Sequence, residues 1–270
     1  MKVTSRIALI LFLLFFSLVI YWAITPNSSP SWTGFGGYNQ TPNFVREKTL
    51  WDWLDLLVIP LFLAISASIL SSIQKQSDKI TEEDRQKQIV LSTYFEKIST
   101  LLLEQKLRTS KNSSEARILA RTQSLFAFRN LDGDRKAKAL QFIYEAGLIY
   151  SPPIVNLNGA NLSKANLQYA TLQRSELKGV FLRNAILKGA NLANTNLCGS
   201  NLENSDFEGA IVTGADFSYT NLSHANLRSL DLTLTNIDWV ILDYADLTDA
   251  KLLPEQLKNI ASSKNTKFPK

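Results

Sequence analysis

Few residues of this chain could do chemistry. Its 270 residues include one cysteine, Cys198, and one histidine, His224. That excludes a disulfide framework and any zinc site built from Cys or His clusters. A His-centred triad would have to use His224 alone. Asp132-Gly133-Asp134 has the start of a calcium loop, but the remaining EF-hand ligands and the closing glutamate are missing, which leaves a turn. Arg117, Arg121, Arg129, Arg135, Lys136 and Lys138 raise the question of nucleic acid. They are balanced by Glu115, Asp132, Asp134 and Glu145, and a solvated face attracted to anionic lipid accounts for them more simply. No catalytic, cofactor-binding or metal-ligating residue is assigned, no cofactor is expected, and a nucleic-acid partner is not expected.

The elements that must position these residues separate by charge. Residues 1–73 hold 4 basic and 3 acidic side chains, 74–152 hold 14 and 10, 153–252 hold 7 and 10, and 253–270 hold 4 and 1, which sums to the net charge of +5. In the first segment, Ile7 to Ile24 and Leu56 to Gln74 carry no charge. About 18 helical residues rise about 27 Å, close to the hydrocarbon thickness of a bilayer. Two transmembrane helices are therefore expected, at about 7–24 and 55–73, with Pro60 tolerated in the second. Tyr21 and Trp22 close the first span and Trp51 and Trp53 open the second, where interfacial aromatics belong. A cleaved signal peptide over 1–25 fits less well, because Tyr21-Trp22-Ala23-Ile24-Thr25-Pro26 offers no small-residue cleavage site.

Lys2 and Arg6 precede the first span, and Lys75, Lys79, Arg85 and Lys87 follow the second; the intervening loop has only Arg46 and Lys48. This asymmetry places both termini in the cytoplasm and residues 25–50 or so outside. The Asn27-Ser28-Ser29 and Asn39-Gln40-Thr41 sequons matter only in a eukaryotic secretory host.

Residues 74–152 read as a cytoplasmic helical module. Leu91, Tyr94, Phe95, Ile98, Leu101 and Leu102 recur at helical spacing, on a helix that continues the second span or closely follows it. A second helix is expected from an N-cap at Asn112, with Glu115 as its partner, to about Leu131, burying Ile118, Leu119, Leu125 and Phe126. A third is expected from about Asp134 to Ala146, ended by Gly147. Ser151-Pro152-Pro153 then breaks helical structure.

From Leu157 to Leu252 an apolar residue falls at every fifth position, twenty times without a slip, and sixteen of these are Leu. Two positions earlier lies a small-residue column with ten Ala, and between the two columns thirteen of twenty residues are Asn or Asp. Five residues on a helix turn through about 500°, so the leucines would circle it. On a flat strand an odd period would send alternate leucines to opposite faces. One inward column at this interval needs a chain that bends once per repeat, which winds into a solenoid. Glycines at 159, 179, 189, 199, 209 and 214 suit the bends because glycine tolerates positive φ.

Ala160-Asn161-Leu162-Ser163-Lys164, Ala165-Asn166-Leu167-Gln168-Tyr169 and Ala190-Asn191-Leu192-Ala193-Asn194 resemble the pentapeptide-repeat family, whose pattern is A-(D/N)-L-x-x. The resemblance implies a right-handed quadrilateral β-helix with four repeats per coil, hence about five coils over 153–252, roughly 24 Å long at about 4.8 Å per coil. More widely, Glu83-Asp84-Arg85-Gln86, Leu107-Arg108-Thr109-Ser110, Leu131-Asp132-Gly133, Tyr144-Glu145-Ala146-Gly147-Leu148-Ile149 and the Trp-rich start of the second span resemble a subgroup of bacterial, notably cyanobacterial, membrane-bound pentapeptide-repeat proteins. The fold class expected is thus a membrane-anchored α + β-solenoid, in which 253–270 form a short capping helix and tail.

If four repeats make a coil, residues twenty apart stack. Lys188, Glu208 and Arg228 then form one column of alternating sign, and Arg183 lies next to Glu203. Residues 153–200 hold 5 basic and 1 acidic side chain and residues 201–252 hold 2 and 9, so the basic end is expected to face anionic lipid and the acidic end a partner. Phe181, Ile186, Ile211 and Ile241 depart from the Asn/Asp column and are expected to point outward as isolated apolar spots. The third helix with Pro152-Pro153, and a short helix after Leu253 begun by Pro254, are expected to cap the two ends; dimerisation through the C-terminal cap is left open. Cys198 is expected to face solvent in a different coil from His224, which leaves no nucleophile–base pair.

The function expected is a membrane-tethered scaffold for an unidentified protein partner, integral to a bacterial inner or plasma membrane, or to a thylakoid membrane if the source is cyanobacterial. The alternative is a DNA mimic that modulates a topoisomerase, as some members of the family resembled here do.

Overall fold

The computed structural model describes residues 50–269, with the backbone alone for 50–59. The expected span at 7–24 and the loop after it lie outside the described residues. The chain divides into two units, Met1–Ile80 and Thr81–Lys270. One helix, α1 (Leu50–Leu103), contains Pro60.

In the first unit, Leu61, Phe62, Leu63, Ile65, Ile69, Leu70 and Ile73 are all exposed. Three of these are consecutive, and helical residues step by about 100°, so they cannot share one face. Among the described residues, whose side chains begin at Pro60, no helix is long and apolar enough to cross a membrane.

In the second unit the predicted stripe of α1 is confirmed. Leu91, Tyr94, Ile98 and Leu101 are buried, and Phe95 and Leu102 are partly buried. They pack with α2 (Glu115–Asn130) and α3 (Gly133–Glu145). The Tyr94 hydroxyl meets Ser124 Oγ at 2.9 Å inside this core, so the polar tip of a buried aromatic is satisfied.

Helix α2 turns differently from the expectation. Its buried residues are Ala116, Ala120, Ser124, Ala127 and Phe128, while Ile118, Leu119 and Phe126 are exposed. Small side chains let the helix approach its neighbours closely, and that face wins over the more apolar one. The N-cap is Ser114, which accepts from the Arg117 N–H, and not Asn112. Asn112 instead accepts from the Arg117 guanidinium at 2.6 Å. Helix α3 begins on an Asp132 N-cap and ends at Gly147, whose φ of 70° suits a glycine after a helix.

Beyond Ile149 the chain is a solenoid. Parallel bridges join residues twenty apart, from Asn161–Phe181 to Asp231–Lys251, so each coil holds four pentads. The central residues from Leu157 to Leu247 are all buried and the small column lies beside them. Each coil turns four corners: in the pentad Leu162 to Asn166, for instance, the Ala165 N–H bonds the Leu162 carbonyl across a turn with Lys164 at φ 62°. From 159 to 249, every fifth residue has positive φ except Leu234.

The buried hydroxyls of the small column are all engaged. Thr195, Ser200 and Thr220 donate to the Leu172, Leu177 and Leu197 carbonyls of the coil before. Ser175, Ser205 and Thr235 bond carbonyls within their own turns. No buried side-chain polar atom among the described residues lacks a partner, as a dry interior requires.

The first coil is closed by the helices. The Gly133 carbonyl accepts the Asn166 N–H at 3.1 Å and Asp134 accepts the Asn166 amide at 3.0 Å. Lys136 Nζ donates to the Ser163 carbonyl, and Arg121 donates to the Asn158 carbonyl. The far end also has a cap, a 3-10 helix at Pro254–Asn259, but pairing does not stop there. Ser262 pairs with Ile241 and Lys267 with Asp246, now twenty-one residues apart. The tail therefore wraps a further partial coil, one residue out of the earlier register.

One rung is missing. Every bridge in the twenty-residue series from 161/181 to 231/251 is present except Ile211–Asp231. Leu234, the one corner residue without positive φ, follows that gap, and the Gly214 N–H reaches the Leu234 carbonyl, as Gly159 reaches Gly179, where the corners from Lys164 to Asn204 use the residue before it.

Candidate interaction surface

The outward faces are built by the Asn/Asp column. In pentad after pentad the carboxamide or carboxylate Oδ1 accepts the N–H two residues on: Asn161 from Ser163, Asn196 from Cys198, Asp216 from Ser218, Asp246 from Thr248. A short side-chain acceptor there satisfies an N–H that the turn would leave free, which is why the column is Asn or Asp.

Charges stack along the rod as expected. Arg183 Nη2 lies 2.7 Å from Glu203 and Lys188 Nζ lies 2.9 Å from Glu208. Arg228 departs from the expectation. It reaches on to Asp246 at 3.3 Å, because the Glu208 carboxylate already faces Lys188. Lys251 pairs with Asp231 and Lys267 with Asp246. Within the acidic stretch 201–252, Glu203, Glu208, Asp231 and Asp246 are thus partnered by cations, while Asp206, Asp216, Asp238, Asp243 and Asp249 form no ion pair among the described residues.

Of the apolar departures, Phe181, Ile186 and Ile211 are exposed and Ile241 is half-buried. They fall on three different faces, or several coils apart on the same one, so they make no shared patch. A patch exists elsewhere, on the corners. The column Gly159, Gly179, Gly199 continues as Tyr219 and Trp239, which keep a left-handed backbone at φ 58° and 57° and are 62% and 53% exposed. For a residue with a Cβ that conformation costs about 1–2 kcal/mol. On the next corner the His224 and Tyr244 rings stack at 4.8 Å and 2°. Reading the sequence for bends singled out the glycines and missed these aromatics, whose signal was only their shared five-residue phase.

Cys198 is half-buried and free, and it lies on the coil before His224 and on another face. The structure does not bring the two together. Among the described residues no group of His, Cys, Asp and Glu could hold a metal ion; Asp132 caps α3 and Asp134 binds Asn166. A separate open cavity of about 730 Å³ lies where Tyr144, Tyr150 and Ser151 face Gln173, Arg174 and Asn194. Burial pushes the Tyr144 phenol there up to about 12.

The family model described as Pentapeptide repeats matches residues 155–184, 175–214, 185–222 and 213–249. No curated protein matches the chain. Among solved structures, the chain is similar to HetL, a pentapeptide repeat protein involved in heterocyst differentiation regulation from the cyanobacterium Nostoc sp. strain PCC 7120. That pair is 25% identical over 42% of this chain and 51% of HetL, with a TM-score of 0.30. Rfr23, a pentapeptide repeat protein from the cyanobacterium Cyanothece 51142, is 30% identical over 40% of this chain and 63% of that one, with a TM-score of 0.26. QnrB1, a plasmid-mediated fluoroquinolone resistance protein, is 24% identical over 36% and 59%, with a TM-score of 0.17. The chain thus spans between 51% and 63% of the lengths of these three. Residues 155–249, with their five-residue corners and twenty-residue coils, match that family model and have the pentapeptide-repeat fold, a right-handed β-helix.

Proposed function

We propose that this protein is a membrane-tethered pentapeptide-repeat scaffold that mediates protein–protein interaction at the cytoplasmic membrane face, without catalysis. The observation that supports the tether is the apolar surface of α1. Between Leu61 and Ile73 large apolar side chains are exposed over more than half of the helix circumference, with Ala and Ser on the rest, and the uncharged run they belong to starts at Leu56, ahead of the first described side chain. An uncharged helix with so wide an exposed apolar surface needs an apolar surround, which a span at 55–73, paired with one at 7–24, would give it. Alkaline carbonate extraction tests the tether: retention in the pellet, with tags at both ends digested only from the cytoplasmic side, is expected. Release into the supernatant overturns it.

A second reading, a DNA mimic acting on a topoisomerase, is favoured by the 9 acidic against 2 basic side chains in 201–252. Four of those nine carboxylates are held in ion pairs, which weakens the field such mimicry needs. Inhibition of gyrase supercoiling by the full chain would favour this reading over the scaffold.

A further inference from the structure

We propose that the corner carrying Tyr219 and Trp239, with Asp216, Asp238 and Asp243 around it, is a docking site for a lysine- or arginine-bearing segment of a protein partner. This deepens the scaffold reading and rests on it.

The fold does not ask for aromatics at this corner. The same column holds glycine in the three preceding coils, at φ 82°, 66° and 67°, and the turn is made equally well there. Tyr219 and Trp239 hold the strained conformation and still leave more than half their surface in solvent. Two large aromatic surfaces thus stand in solvent one above the other in the same column, where a partner can bury them. Half-buried Ile241 and the stacked His224 and Tyr244 follow on the next face and corner, so four aromatic rings stand on two neighbouring corners of the last two full coils.

The surrounding charge selects the occupant. Asp216, Asp238 and Asp243 form no ion pair among the described residues. Each uses Oδ1 to accept from Ser218, Asn259, or Ser262 and Lys264 respectively, and no hydrogen bond from a described residue reaches any Oδ2. A guanidinium or ammonium group over an indole or phenol face, with a carboxylate at its edge, satisfies both features at once. Tyr and Trp are also the residues that dominate protein interfaces. The same carboxylates repel lipid and nucleic-acid phosphates, so an interfacial role for the aromatics against an anionic membrane is the weaker choice. Two cations lie on the turn beyond: Lys258 adjoins Asn259, which bonds Trp239 and Asp238, and Lys264 donates its N–H to Asp243, but neither ammonium forms an ion pair among the described residues.

The test uses the full chain in detergent and a fluorescent peptide of alternating Arg and Gly. Saturable binding is expected, weakened about tenfold when citrulline replaces arginine and by at least about fivefold in Trp239→Gly and Asp238→Asn. Trp239→Gly inserts the residue the column already uses, so the fold is retained, and a circular dichroism spectrum checks this. No binding, equal binding of the citrulline peptide, or equal binding to Trp239→Gly overturns the proposal. So does recruitment of phosphatidylglycerol vesicles that is lost in Trp239→Gly. Co-purification from native membranes separates the two levels. If no protein accompanies the wild-type chain, the scaffold reading fails; if proteins accompany wild type and Trp239→Gly alike, only this docking site fails.

Discussion

The Gly133 Cα lies so close to the Lys164 carbonyl that a Cβ would collide with its oxygen, while the Gly133 carbonyl accepts the Asn166 N–H at 3.1 Å. Helix α3 thus meets the first coil backbone to backbone, and it supplies there the hydrogen bond that a neighbouring coil supplies elsewhere. Gly133→Ala is expected to lose about 1–3 kcal/mol, as other overpacked contacts do. Urea denaturation measures this, and hydrogen exchange should show lost protection at Asn166.

Leu234 is the corner residue that refuses a left-handed backbone, and the Ile211–Asp231 rung is absent beside it. Glycine has no Cβ to oppose that conformation. Leu234→Gly is therefore expected to restore the turn and the rung and to stabilise the rod by about 0.5–1 kcal/mol, an unusual sign for a change to glycine. A thermal midpoint below that of the wild type would contradict it.

Much of this architecture was legible because its signals are periodic. Sixteen leucines in one phase announce a bend per repeat, and Arg183–Glu203 and Lys188–Glu208 announce the twenty-residue coil. What the sequence hid follows from packing and local competition. Ile118, Leu119 and Phe126 are more hydrophobic than Ala116, Ala120 and Ala127, yet close approach favours the alanines. The twenty-residue spacing puts Arg228 beside Glu208, but Glu208 pairs with Lys188 and Arg228 turns to Asp246. The tail after Pro254 lacks the repeat pattern, and backbone pairing carries it on to Lys267 regardless. The corner with Tyr219 and Trp239 is hidden for another reason, since an aromatic side chain in the phase of Gly159, Gly179 and Gly199 carries no signal of a bend.

The Arg183–Glu203 pair bridges adjacent coils at 2.7 Å with both side chains part-exposed. A double-mutant cycle with alanine at each position is expected to give a coupling of about 0.2–1 kcal/mol. It should fade in about 1 M salt, where screening acts within about 3 Å. A coupling that survives such salt unchanged would mean the two are linked through the backbone.

Acid should weaken the distal coils. The Thr248 hydroxyl and N–H, helped by Lys267, hold the Asp246 carboxyl well below the usual carboxylate range, and the Ser262 hydroxyl and Lys264 N–H lower Asp243. A carboxyl whose folded pKa is depressed contributes stability above its unfolded value near 3.9, and that contribution is lost as pH falls through the folded value. The thermal midpoint is therefore expected to fall below about pH 4 and to fall less steeply in Asp246→Asn. Identical slopes in the two proteins would show that Asp246 plays no part.

The one-residue offset after Pro254 bears on how such a gene can change length. Upstream of it, each loop of the spiral closes after twenty amino acids, so duplication or deletion preserves the inward phase and the stacked neighbours only when it moves a whole loop's worth of codons. Shorter indels would rotate every later side chain to a different wall. The terminal wrap has already slipped by one position, which makes it the place where the reading frame of the spiral can tolerate irregular growth.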